Sequence, residues 1–246
     1  MRKDIRWILF AVLTGGLGCG LYGCGEYPGE TSLYYKEEYY AIDAQTLLPA
    51  LEQGDTNLFA LQAATPEPTQ RDLPPVQWSQ ADYYRVAQAF HEFVWQESMD
   101  GWELSKMSFR TNCADLSYGP QRAIFTVFRI TRSRKQDSRL EHTIYIEPRQ
   151  NLVRGSETEI YPSQRRIASL DLVEMRISAK EALDIAESNG GKEARSAVGD
   201  DCVIDIDQDI GIKYRGWLVR YSGKGSALFW INIDTQTGEY EIIYPD

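Results

Sequence analysis

The sequence predicts an α+β protein made of two helix-plus-antiparallel-sheet units. Three observations predict it. Two Ser-x-x-acid helix starts stand 99 residues apart, at Ser79 and Ser178. Apolar residues recur at helical spacing after each start. Runs of period two, rich in Val, Ile, Phe and Trp, then follow each helix.

Residues 1–24 come first and read as a leader rather than as fold. Arg2, Lys3 and Arg6 give a positive start against Asp4 alone, and Trp7 to Gly23 carries no charge. That run is short for a bilayer span of about 20 residues. It ends in Leu21-Tyr22-Gly23-Cys24, which resembles the lipobox of bacterial lipoproteins and implies cleavage before Cys24 and acylation, for instance with palmitate, on it. An uncleaved signal anchor is the alternative. Gly18-Cys19-Gly20-Leu21-Tyr22-Gly23 spells GxGxxG, but it lies inside the leader, without the strand and helix that a dinucleotide site needs. Removing residues 1–23 takes away three basic side chains and one acidic one, moving the net charge from −10 to −12. So acidic a chain argues against nucleic acid and against a polybasic grip on lipid headgroups. The expected address is the extracytoplasmic face of the cell envelope, with the lipid anchor as the membrane contact.

Residues 25–77 read as a tether and Pro-rich linker. Tyr34-Tyr35-Lys36-Glu37-Glu38-Tyr39-Tyr40 suits an element edge packed on the main body, or a ligand-stacking strip. Asp43 to Gln53 and Leu58 to Ala64 read as short helices, and Thr65-Pro66-Glu67-Pro68-Thr69 with Leu73-Pro74-Pro75 as a stiff spacer.

The first unit spans 78–162. Ser79 and Asp82 form a capping box, Trp78 staples onto Tyr83, and Tyr83, Val86, Ala87, Phe90 and Val94 make the apolar face. Strands are expected at Trp102–Arg110, Ala123–Arg132 and His142–Glu147, with a polar loop over Arg132–Arg139.

The second unit spans 163–246. Ser178 and Glu181 repeat the box, Ala182, Leu183, Ile185 and Ala186 line the buried face, and Gly190-Gly191 should stop the helix. Cys202–Ile212, Trp217–Tyr221, Ala227–Ile233 and Tyr240–Tyr244 read as strands. Ile177-Ser178-Ala179-Lys180-Glu181-Ala182-Leu183-Asp184-Ile185-Ala186, then Trp217-Leu218-Val219, then Ile231-Asn232-Ile233-Asp234 with Thr237-Gly238-Glu239, resembles a PepSY domain over about the last seventy residues. The resemblance implies a small, extracytoplasmic, non-enzymatic module that binds or restrains partners.

Export leaves Cys113 and Cys202 as the ectodomain cysteines, an even count in an oxidising compartment; a disulfide between them is expected, with two buried thiols as the alternative. His91 and His142 read as packing or surface residues. Asp205-x-Asp207-x-Asp209 looks like a calcium loop, but Ile210 stands where the loop's glycine belongs and Gly216 where its glutamate belongs; a solvated face or a charged edge is preferred. No catalytic, metal or cofactor residue is assigned. The expected role is non-catalytic binding or regulation toward a protein or envelope partner. The alternatives are an envelope-polymer hydrolase using acidic residues and a small-ligand-binding lipoprotein.

Overall fold

The computed structural model describes residues 31–62, 73–133, 136–161, 169–209, 216–223 and 225–243. Cys24, the expected site of lipid attachment, and the Pro-rich run 65–69 lie outside them. In order come β1 (Thr31–Ala41), α1 (Leu47–Glu52), β2 (Ala60–Leu61), α2 (Gln80–Trp95), β3 (Glu103–Asn112), β4 (Arg122–Ser133), β5 (Gln136–Glu147) and β6 (Leu152–Tyr161). There follow α3 (Ala179–Ala186), α4 (Lys192–Ser196), β7 (Val203–Asp209), β8 (Trp217–Gly223), β9 (Ser226–Ile233) and β10 (Tyr240–Ile243). Among the described residues no helix is long and apolar enough to cross a membrane.

The strands form one antiparallel sheet in the order β10-β9-β8-β7-β3-β4-β5-β6-β1-β2. This overturns the expectation of two helix-plus-antiparallel-sheet units. The joint is the β3–β7 pair, in register from Lys106 opposite Asp209 to Asn112 opposite Val203. Each of these strands would otherwise present an open row of N–H and C=O groups, and pairing them satisfies both rows. Cys113 and Cys202 close the end of the joint as a disulfide with Cα atoms 5.3 Å apart. Beside it Cys113 N donates to Cys202 O at 2.9 Å.

Both capping boxes form. Ser79 and Asp82 exchange side-chain and backbone hydrogen bonds at the start of α2, and Ser178 and Glu181 do so at α3. The Trp78 ring stands 5.1 Å from that of Tyr83, as a staple should. The two helix starts touch across the joint, where Ala179 N donates to the Gln80 amide oxygen at 2.9 Å.

Several expectations are corrected. The second helix does break at the glycine pair, as expected, but the chain resumes as a short helix: Asn189 and Gly190 leave helical dihedrals, Gly190 with a φ of +118° that suits glycine, and the kink leads into α4. The Leu58–Ala64 helix is not present among the described residues; Ala60–Leu61 pair instead with Tyr40–Ala41. The polar stretch after β4 is strand on both sides, β4 running to Ser133 and β5 starting at Gln136. Residues 31–62 belong to the folded body: β1 pairs along β6 from Thr31 opposite Tyr161 to Ala41 opposite Leu152.

One sheet face carries the core. Phe125 and Val127 of β4, Ile144 and Ile146 of β5, Met107 and Phe109 of β3, Ile204 and Ile206 of β7 and Val219 and Tyr221 of β8 are buried there with Tyr83, Val86, Ala87 and Phe90 of α2 and Ala182, Leu183 and Ala186 of α3. The opposite face is largely polar.

Candidate functional site

Two places concentrate chemistry. The first lies on the core face under the C-terminal end of α2. His91 sits one turn before Trp95 on the buried side of α2, and His142 faces it from the middle of β5. Strand register puts Glu157 of β6 directly opposite His142. Two residues along, Gly155 leaves room for the helix: a Cβ there would stand 2.9 Å from both the Phe90 and Trp95 rings.

The result is a continuous line of three close polar contacts. Glu97 O lies 3.0 Å from His91 Nδ1, His91 Nε2 lies 2.9 Å from His142 Nδ1, and His142 Nε2 lies 3.0 Å from Glu157 Oε2. The His142 ring is sandwiched by Trp95 at 3.9 Å and Trp102 at 4.1 Å between centroids. Arg129 of β4 grips the Glu97 carboxylate with two hydrogen bonds and stands 4.6 Å above the Trp102 ring. Burial, then the neighbouring His91 and Arg129, push His142 down to about 3. Burial likewise lowers His91. Both rings are fully enclosed, while the Glu157 side chain is 28% exposed and forms the solvent end of the line.

Neither histidine is thus a bystander. His91 does lie on the apolar helix face, as its spacing suggested, but His142 is mid-strand rather than at a strand start. Fifty-one residues separate them, and no local pattern announces a contact that only the α2–β5 packing creates.

The second place is the polar sheet face. Trp230, Arg220, Asp205, Arg110 and Arg122 stand opposite one another on β9, β8, β7, β3 and β4. Arg110 donates through Nε and Nη2 to both oxygens of Asp205, at 2.6 and 3.0 Å. Arg122 pairs with Glu147 at 3.1 Å, and Arg220 with Asp207. Two residues along the same face, Arg154 of β6 caps the Tyr145 ring at 3.7 Å and pairs with Glu37 of β1 at 2.7 Å. Arg110 and Arg122 are like charges directly opposite, an unfavourable pairing that Asp205 and Glu147 offset from either side. Between them a small cavity of about 60 Å³ is lined by Ser108, Arg110, Arg122, Ile124 and Asp205.

The acidic strand is therefore neither a solvated face nor an edge: β7 is an interior strand, and the Asp205 and Asp207 carboxylates are committed to arginines. The expected disulfide between Cys113 and Cys202 is present. The Glu38, Glu181 and Asp234 carboxyls are each shifted down, Glu181 and Asp234 by hydrogen bonds that favour the charged form. No protein-family model, curated protein or solved structure matches this chain.

Proposed function

We propose that this chain is a lipid-anchored, extracytoplasmic protein with a non-catalytic binding role, and that its partner is a protein docking on the polar sheet face. The carrying observation is the registered row of arginines, carboxylates and rings across that face, with two arginines side by side over a small cavity. Arg, Trp and Tyr dominate the energetic centres of protein interfaces. The Arg110–Arg122 pair fits a carboxylate side chain from the partner, which would take a bidentate bond and relieve the repulsion between the two cations. The disulfide supports an oxidising compartment, and the lipobox-like Leu21–Cys24 supplies the anchor.

The test is in-cell photocrosslinking with the full chain. A photoreactive residue at Ile124 should trap a discrete protein, whereas one at Asp184, exposed on α3, should not. The charge-swapped pair Arg110→Asp with Asp205→Arg keeps the internal ion pair and should abolish the adduct. No adduct at Ile124, or the same adduct from both positions, refutes the docking face. Separately, Cys24→Ala should move the chain out of the membrane fraction.

A further inference from the structure

The His91–His142 line is one proton short. Neutral imidazoles carry one N–H each, two in all, and the three contacts from Glu97 O to Glu157 Oε2 need three. Where the shortage falls depends on Glu157. With its carboxylate ionised, the charge-assisted bond forms first: His142 Nε2–H donates to Oε2, and His91 Nε2–H donates to His142 Nδ1. His91 Nδ1 is then a bare lone pair facing the Glu97 carbonyl. With Glu157 as the acid, its O–H donates to His142 Nε2. His142 Nδ1–H now donates to His91 Nε2, and His91 Nδ1–H to the Glu97 carbonyl.

A proton taken up at Glu157 therefore moves one N–H from Nε2 to Nδ1 on each ring, and all three contacts close. Neither state places an imidazolium between the Trp95 and Trp102 rings, where the loss of hydration would oppose a cation.

We propose that Glu157, His142 and His91 form a proton-driven tautomer switch that fastens the turn after α2 when Glu157 is protonated and releases it when Glu157 is ionised. The turn is built for such an effect. Gln96, at the C-terminal cap of α2, is left-handed with φ 54°, and Glu97 follows it, so the contact from His91 pins the residue where the helix ends. The same residue holds Arg129, and the segment leads to Trp102, which closes the sandwich.

The other charged groups facing the line can be named. Arg129 comes from β4, and the Glu97 carboxylate engages it. Lys36 of β1 stands opposite Glu157 in register and holds Glu38 at 2.8 Å, and Glu159 is next on the same face of β6. The rings themselves are sealed, so the exposed edge of Glu157 is the door for the proton.

The deciding experiment is a long-range ¹H–¹⁵N correlation titration of the full chain labelled at histidine, taken from neutral pH downward. Both rings should exchange their protonated nitrogen at one shared midpoint without reaching imidazolium shifts. Amides from Glu97 to Trp102 should gain hydrogen-exchange protection in the acid form. Glu157→Gln donates permanently through its amide, so both rings should stay in the acid-form tautomer throughout. Separate midpoints, imidazolium signals at the transition or unchanged tautomers in the wild-type chain overturn the switch, and so does a Glu157→Gln chain that still exchanges.

Discussion

The ground under α2 and the ground under α3 start from the same helix-opening grammar and end as different interiors. Under α3, three alanines and Leu183 lie close against β7 and β8, and the contact is almost wholly apolar. A deep polar group there, the Tyr221 hydroxyl, donates to Glu187 at 2.8 Å, with Gly191 hydrogen-sized above it. Under α2, large rings lie between helix and sheet, and at its end His142 is sandwiched between two indoles and hydrogen-bonded to His91. Small residues give a dry seam; bulky ones leave room for a polar line that must then be satisfied.

That contrast can be broken by experiment. The largest effect should come from Phe90→Ala, whose ring meets Tyr40, Phe59 and Trp95. A loss of about 3–5 kcal/mol is expected by urea denaturation. Leu183→Ala on the other side should cost less, about 2–3 kcal/mol, and equal losses would erase the distinction. Next, Cys113→Ser with Cys202→Ser should cost about 2–5 kcal/mol, because a crosslink across 89 residues restricts the unfolded chain. Since the bond lies at the joint, hydrogen exchange should rise on β3 and β7 together.

Acid should then tell the two sides apart. His91 and His142 hold fewer protons folded than unfolded, so stability is lost as pH falls below the unfolded value of 6.5 toward about 3. The slope should approach 1.4 kcal/mol per pH unit, roughly, for each proton of difference. His142→Gln should flatten it, and Leu183→Ala should leave it unchanged. The smallest effect tests the shared grammar: Ser79→Ala and Ser178→Ala should each cost about 1 kcal/mol.

The sequence was legible where one residue's neighbours along the chain decide its structure. Both capping boxes are local, and so is the alternation of Ile204 and Ile206 with Asp205 and Asp207. It was opaque where a partner from far away decides. Tyr34–Tyr40 suits an element edge packed on the main body, but nothing local names β6 as the strand that pairs along its length. β6 itself escapes a period-two reading: Gly155 and Glu157 occupy its core-facing positions, which the α2 rings and His142 require but no apolar rhythm reveals. The joining of β3 to β7 is likewise invisible, since an unsatisfied edge is a property of backbone and not of side chains. The candidate site suffers most, because its two histidines meet only through the packing of a helix on a strand.

β1 begins seven residues after Cys24. Under the proposed acylation of Cys24, the seven Cα–Cα steps from it to Thr31 can reach at most about 25 Å, at roughly 3.5 Å per residue. Eight strand spacings of about 4.8 Å, or nearly 40 Å, separate β1 from β10. The molecule would thus be moored by one flank, with the β1 border held near the lipid and the β10 border free to swing outward as a boom does from a mast.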